Sequence, residues 1–133
     1  MKKMLVPVAI FAAAAIVITF SMMPAAGGGM KPEELLAMAG ASEKPLVIQL
    51  SSDGCVTCRR MQPTFEKLTG EYASDYRFEV IDVDANPKIA GAFQITAVPV
   101  QVILSNEGDV LLKHHGYFGY KEFSESLEKI KKG

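Results

Sequence analysis

The chain has 133 residues with 14 basic and 15 acidic side chains, which gives a formal net charge of −1. Its 49% hydrophobic and 22% charged residues exclude an intrinsically disordered chain, and the near-neutral charge argues against nucleic-acid binding through bulk charge. Two cysteines are too few for a disulfide-rich scaffold or a four-thiolate metal site.

An uncharged apolar segment, 4–23, follows Lys2 and Lys3 at the start of the chain. At about 1.5 Å per residue, a helix over this segment spans the roughly 30 Å hydrocarbon core of a bilayer. Because the basic flank is expected to stay in the cytoplasm, the pattern predicts a single-pass anchor in the cytoplasmic (inner) membrane. The remainder of the chain then faces the periplasm or the exterior.

Other interpretations of this segment stay open. The small residues of Pro24–Gly27 suit a signal peptide that is cleaved near Ala26, which predicts a secreted protein. A buried core helix is a third interpretation, although no other part of the chain is available to cover it. Translation from Met30 gives a cytosolic protein. We assign 1–30 to the membrane or signal segment and its glycine spacer, and 31–133 to one folded domain.

Hydrophobic periodicity predicts a regular succession of elements after residue 30. The predicted helices and strands, in chain order, are helix 32–40, strand 46–50, helix 55–72, strand 77–83, helix 86–93, strand 100–104, strand 110–114 and helix 118–131. The crossover helix makes the first two strands parallel, and the turn at 106–109 makes the last two antiparallel. The pattern predicts an α/β sandwich with a mixed sheet.

The two cysteines form a Cys-x-x-Cys motif where a strand ends and a helix begins. Backbone N–H groups and the helix dipole at that position stabilise a thiolate, which is the nucleophile in disulfide exchange. Arg59 and Arg60 add positive field, and Asp53 opposes them. Cys55, at the exposed end, is the predicted nucleophile, and Cys58, one turn further in, is the predicted resolving thiol.

This arrangement resembles the thioredoxin family over about residues 33–131. The matching features are Cys55 and Cys58 after the first core strand, Pro63 in the active-site helix, Asp84-Ala85-Asn86-Pro87, Pro99, Gly108 and Gly116. A Cys-x-x-Cys motif alone is a weak signal, whereas this combination at family spacing is specific. The resemblance implies a thioredoxin-like three-layer α/β/α sandwich and a redox-active disulfide, with no other cofactor.

The resemblance also implies a cis peptide bond before Pro99, packed beside the cysteines, where a trans proline at the first residue of a strand is the alternative. The implied substrate-binding positions are Gly54, Val56, Thr57 and Val98. The backbone of Val98 is expected to hydrogen-bond an extended substrate. The Thr57 hydroxyl either donates to a thiolate or caps its own helix.

Several positions depart from the family pattern. Gly54 replaces the tryptophan before the first cysteine, and the chain contains no tryptophan. Gln49 occupies the position of the buried acid, and Val80 that of its lysine partner, while Glu79 is expected to face the other side of its strand. Proton transfer from Cys58 is therefore expected to use water, the Gln49 amide or another group. Gln49 and Arg59 are the predicted modulating residues.

Metal and haem sites receive little support from the sequence. His114 and His115 are neighbours on a strand and point to opposite faces, so only one of them is able to join a site with the cysteines. Covalent haem attachment requires a histidine directly after the second cysteine, and that residue is Arg59. We predict no metal site and no nucleic-acid partner.

These observations predict a monomeric thiol–disulfide oxidoreductase that reduces substrate proteins outside the cytoplasm and receives electrons from a membrane donor. A disulfide oxidase or isomerase of the same fold is the first alternative. A non-catalytic binding module is the second, since the tryptophan and the acid–lysine pair are absent.

Overall fold

The computed structural model of the protein describes residues 29–133. The predicted membrane or signal segment 4–23 and the cleavage position near Ala26 lie outside the described residues. Within residues 29–133, none of the helices combines the length and the apolar character that crossing a bilayer requires.

The described part of the chain contains four helices and four strands, each within two residues of its predicted bounds. They are α1 (Pro32–Gly40), β1 (Leu46–Ser51), α2 (Val56–Tyr72), β2 (Arg77–Asp82), α3 (Pro87–Ala92), β3 (Val100–Leu104), β4 (Val110–His115) and α4 (Tyr120–Lys132).

The strands form one sheet in the order β2-β1-β3-β4. β1 and β2 are parallel, as their connection through α2 requires, whereas β3 runs antiparallel to both β1 and β4. The predicted mixed sheet is therefore confirmed. The two central strands, β1 and β3, are buried on both faces, so their sequences read as apolar runs.

Two hydrophobic clusters cover the two faces of the sheet, because side chains alternate along each strand. On one face, α1 and α3 pack on alternate residues of β1 and β3, which on β1 are Leu46, Ile48 and Leu50. On the other face, α2 and α4 pack on Val47 and Ile103. The molecule thus has three layers, with helices on both sides of the sheet.

The last helix begins at Tyr120, two residues later than predicted. Phe118 is buried beside α2, and its backbone N–H donates to the Sδ of Met61 at 3.4 Å. Gly119 then adopts an extended conformation as the N-cap residue of α4. The prediction that the helix starts at Phe118 was wrong because this aromatic residue belongs to the tertiary packing before the helix.

Candidate active site

The Cys-x-x-Cys motif lies at the junction between β1 and α2. The backbone N–H of Cys55 donates to the Ser52 carbonyl at 3.1 Å, which closes a turn after the strand. Cys55 is the N-cap residue of α2, and its Sγ accepts a hydrogen bond from the backbone N–H of Cys58 at 3.1 Å. The sulfur thus takes the position that a capping oxygen occupies in other helices, where unpaired N–H groups stabilise negative charge.

Cys55 and Cys58 form a disulfide, with their Cα atoms 5.2 Å apart. The two sulfurs differ in accessibility, because Cys58 is only 3% exposed whereas Cys55 is half-buried. Exchange with an external disulfide requires an accessible sulfur. The geometry therefore suits attack by Cys55 and leaves Cys58 available only to its neighbour.

Pro99 lies beside the disulfide, directly before β3. The Val98–Pro99 peptide bond is cis, and Pro99 is buried. The carbonyl oxygen of Val98 lies 3.7 Å from the Sγ of Cys55. The carbonyl of Pro99 accepts the backbone N–H of Gly116 at 2.8 Å, which fixes this loop to the end of β4. Val98, although distant from the motif in sequence, thus lies next to the sulfur of Cys55.

The predicted substrate-binding positions next to Cys55 differ in their exposure to solvent. Val56 is 58% exposed, and Gly54 is also exposed, with nothing within 4 Å of where a Cβ atom would lie. Thr57 lines an open cavity of about 370 Å³ together with Arg60 and Tyr117. Tyr117, which is 52% exposed, was not among the predicted site residues, and only the fold brings it to this cavity.

Arg59, one of the two predicted modulating residues, bonds to the loop before the motif. Its guanidinium donates to the backbone carbonyl of Asp53 at 3.2 Å, and the side chain is exposed. The contact holds one positive charge close to the loop that carries Cys55. Because the charge is in contact with water, its effect on a thiolate is reduced by solvent and salt.

Gln49, the other predicted modulating residue, lies under α2 and is only 2% exposed. It lines a cavity of about 420 Å³ together with Cys58, Phe65 and Val80. Val80 is the direct neighbour of Gln49 on β2, and it is 57% exposed at the edge of the sheet. The position next to the buried amide is therefore apolar and open to solvent.

Gln101 is a buried polar residue that sequence reasoning missed. It lies directly opposite Gln49 in the β1–β3 ladder and has no exposed surface. The signal was present in the sequence, since Gln101 is the one polar residue within the buried strand Val100–Leu104. Its importance depends on the register, which only the folded sheet defines.

The two histidines lie on β4, and His114 contacts the segment that follows this strand. The ring of His114 stacks on Phe118 with a centroid distance of 3.9 Å, and its Nε2 lies 3.2 Å from the Tyr117 carbonyl oxygen. His115 is exposed. In residues 29–133, no group of three or more His, Cys, Asp or Glu side chains is placed to hold a metal ion.

Comparison with known proteins identifies the family of this fold and motif. The family model described as thioredoxin matches residues 31–131. The chain belongs to the thioredoxin family. The resemblance to this family at the Cys-x-x-Cys motif and its companion residues is therefore confirmed.

Individual relatives are similar over part of their length. The chain is 38% identical over 64 residues to a thioredoxin H-type of Chlamydomonas reinhardtii, covering 48% of this chain and 57% of that protein. It is 29% identical over 66 residues to a thioredoxin of Mycobacterium bovis, covering 50% of this chain and 57% of that protein. The chain thus spans a little over half the length of these curated relatives.

A solved structure extends the similarity of fold over nearly a whole domain. The crystal structure of chloroplastic thioredoxin z superposes with a TM-score of 0.69, covering 80% of this chain and 95% of that one. At 20% sequence identity, this likeness shows a shared fold only.

Proposed function

We propose that this protein is a thiol–disulfide oxidoreductase that reduces disulfides of substrate proteins outside the cytoplasm. The observation that carries this proposal is the position of Cys55, whose Sγ caps α2 and accepts the N–H of Cys58. A half-buried sulfur at a helix N-terminus, paired with a buried second cysteine, suits a nucleophile and its resolving partner.

The reaction proceeds in two exchange steps. The Cys55 thiolate attacks one sulfur of the substrate disulfide, a new S–S bond forms, and the other substrate sulfur leaves as a thiolate. The Cys58 thiol then loses its proton and attacks the Sγ of Cys55, which releases the second substrate sulfur. The substrate gains two electrons, and the protein keeps the Cys55–Cys58 disulfide.

The backbone at Val98 is the proposed docking element for substrate. Its carbonyl oxygen lies 3.7 Å from the reactive sulfur, so an extended chain that brings a disulfide to Cys55 also comes within reach of this carbonyl. Gly54 and Val56 present an uncrowded, partly apolar surface next to the sulfur. Such a surface suits a range of unfolded or extended segments.

The proposal includes a location and an electron source. An anchor over 4–23 tethers a monomeric domain to the cytoplasmic membrane on its outer side, and cleavage near Ala26 makes it a secreted protein instead. A dithiol that is oxidised by each substrate requires a reductant, and outside the cytoplasm a membrane electron donor supplies it. The Cys55–Cys58 pair is itself the redox group, so the proposal requires no other cofactor, no metal and no nucleic acid.

The equilibrium reduction potential of the Cys55–Cys58 pair tests the direction of the reaction. The full chain, in detergent, is equilibrated with glutathione or dithiothreitol buffers of graded ratio, and the fraction of disulfide is measured by thiol alkylation. A potential below about −230 mV supports a reductase, whereas one between about −120 and −180 mV supports an oxidase or isomerase. The second result overturns the proposed direction.

A non-catalytic binding module is the alternative. Two departures from the family pattern favour it, because Gly54 replaces the tryptophan beside the first cysteine and Gln49 replaces the buried acid. Trapping separates it from an enzyme. In a Cys58→Ser variant, exposure to an excess of a protein disulfide is expected to leave a stable mixed disulfide on Cys55, visible by intact mass. Cys55→Ser, the matched control, is expected to form none. A wild-type chain that binds substrate but never exchanges disulfides overturns the enzymatic proposal.

A further inference from the structure

An open cavity of about 370 Å³ lies next to the Cys-x-x-Cys motif and is lined by Thr57, Arg60 and Tyr117. Thr57 and Arg60 are three positions apart in α2, so they lie on the same face of that helix. Thr57 is itself the second residue within the motif, directly before Cys58. The cavity therefore borders the place where a substrate disulfide must lie in order to react with Cys55.

The guanidinium of Arg60 is the charged group of this cavity, and no carboxylate of residues 29–133 lines it. In this part of the chain Arg60 takes part in no ion pair, whereas the neighbouring Arg59 donates to the Asp53 carbonyl. A guanidinium has five N–H donors in a planar fork and binds a carboxylate through two parallel hydrogen bonds. The charge of Arg60 is thus free to bind a carboxylate that enters from solvent.

Tyr117 gives the cavity an aromatic wall on a backbone that is held in place. The N–H of Gly116 donates to the Pro99 carbonyl at 2.8 Å, and Phe118 on the other side is buried. The carbonyl oxygen of Tyr117 lies 3.2 Å from the Nε2 of His114. The Tyr117 side chain is nevertheless 52% exposed. A fixed backbone that presents an exposed ring and hydroxyl is typical of a recognition surface, because little conformational freedom is lost on binding.

We propose that this cavity is a specificity subsite in which Arg60 binds the carboxylate of an acidic side chain near the reacting cysteine of the substrate. The Tyr117 hydroxyl is a second hydrogen-bond donor for the same carboxylate. This inference rests on the dithiol exchange proposed above and adds a class of substrate to it. The favoured substrates are disulfides in protein segments that carry an aspartate or a glutamate close to the cysteine.

The spacing of an extended chain decides which substrate residue reaches Arg60. Residues two positions apart point to the same side of an extended chain and lie roughly 7 Å from each other. An acidic residue two positions from the substrate cysteine therefore faces the protein together with that cysteine. The equivalent residue on the other flank lies roughly 13 Å from the first, so only one flank of the segment is able to place its side chain at Arg60.

A separate cavity disfavours an acidic side chain on the other flank. It has a volume of about 210 Å³, and its lining includes Val98, Thr96 and Asp84 but none of the residues around Arg60. Asp84 is exposed, and its carboxylate forms no ion pair within residues 29–133. Because like charges repel, a carboxylate brought along the Val98 backbone to this cavity is unfavourable. The two cavities thus select the flank on which the acid lies.

Reduction of four short peptide disulfides by the full chain in detergent tests the subsite. Each peptide is a disulfide-linked homodimer with a central cysteine, neutral neighbours and capped ends, so that no terminal carboxylate is present. Glutamate or glutamine stands two positions before or two positions after the cysteine. In each turnover the reduced Cys55–Cys58 pair gives two electrons to the peptide disulfide, and two peptide thiols are released. The ratio of the rate constants for glutamate and glutamine, at each position, measures the preference.

The rate is expected to favour glutamate about two- to fivefold on one flank, as for other exposed ion pairs, and not on the other. Arg60→Gln is expected to bring this ratio close to one, and Tyr117→Phe is expected to lower it in part. Arg59→Gln, the matched control, removes the same charge one position away and is expected to keep the ratio. A change in the reactivity of Cys55 itself cancels in the ratio. A small disulfide without a carboxylate gives Arg60 no partner, so the preference is measured with the peptides alone.

An equal preference on both flanks would show general attraction of acidic peptides and would overturn the subsite. A ratio that Arg59→Gln lowers as much as Arg60→Gln has the same meaning. If the wild-type chain reduces none of the peptides, the dithiol exchange is overturned instead. The subsite is then decided by binding of the same peptides with serine in place of cysteine, followed at the Tyr117 amide by NMR. Tighter binding of the glutamate peptide that Arg60→Gln abolishes supports the subsite, and equal binding of both peptides overturns it.

Discussion

The backbone N–H of Phe118 donates a hydrogen bond to the thioether sulfur of Met61, 3.4 Å away. Both residues are buried, and the bond joins the segment after β4 to the helix that begins at the disulfide. A thioether is a weak acceptor, but it is the partner that this buried N–H has. The contact therefore fixes the first half of α2 against the segment that carries Tyr117.

Met61→Leu is expected to lower the free energy of unfolding by about 1–3 kcal/mol, because it leaves the Phe118 N–H buried without an acceptor. Met38→Leu, at a partly buried methionine of α1, is the matched control and is expected to cost less than about 1.5 kcal/mol. Denaturation in urea measures both. A Met61→Leu variant as stable as its control would show that the sulfur contributes packing alone.

Burial raises the pKa of Tyr76 to about 12, with the Asp75 and Glu128 carboxylates adding to the shift. Its hydroxyl donates to the Leu127 carbonyl at 2.7 Å. Because the folded-state pKa lies above the ordinary value of about 10, this group stabilises the fold fully below pH 10. That contribution is expected to decline as the pH rises from about 10 to about 12.

The difference in unfolding free energy between wild type and Tyr76→Phe isolates this contribution from other groups that titrate in base. The difference is expected to be about 0.5–1.5 kcal/mol at pH 8, from loss of the hydrogen bond. It should shrink steadily above about pH 10. A difference that stays constant up to pH 12 would contradict the assignment of the raised pKa to Tyr76.

Gly108 lies in the turn between β3 and β4 with a φ angle of +92°. A Cβ atom at this position would also lie 2.9 Å from the Cδ2 of Leu36. Gly108→Ala is therefore expected to destabilise the protein by about 1–3 kcal/mol. Gly70→Ala, inside α2 with nothing within 4 Å of its Cβ, is expected to stabilise it by up to about 1 kcal/mol. Thermal unfolding of the two variants should give shifts of opposite sign; equal shifts would argue against strain at Gly108.

Arg59 and Arg60 are adjacent, exposed arginines with different surroundings. Arg59 bonds to the Asp53 carbonyl beside the Cys55 loop, whereas Arg60 lines the cavity with Tyr117. Arg59→Ala is expected to slow attack by Cys55 on a small disulfide about two- to fivefold at low ionic strength, as for other exposed charges. Arg60→Ala is the control. The effect of Arg59→Ala should nearly vanish at about 1 M salt, where the Debye length is about 3 Å. An effect that is independent of salt would indicate a structural role for Arg59.

Local patterns in the sequence were sufficient to predict most of the fold. Alternation and helical periodicity located each helix and strand of residues 29–133 within two residues, because these signals arise from neighbours along the chain. The apolar runs 46–50 and 100–104 predicted strands, and the structure places both at the centre of the sheet, where they are buried on both faces. The motif at Cys55 and Cys58 is also the basis of the proposed chemistry, since a strand–helix junction supplies unpaired N–H groups wherever it occurs.

Contacts between distant residues were decided only by the tertiary structure. Helix α4 starts later than predicted because Phe118 packs against Met61, 57 positions away, rather than continuing the helical face. The pairing of Gln49 with Gln101 depends on the register of β1 and β3, and a slip of one residue would place them on opposite faces. Periodicity determines which side of an element a residue occupies. The packing of the whole chain determines which residues that side contacts, because the register of the strands and the docking of the helices depend on the complete core.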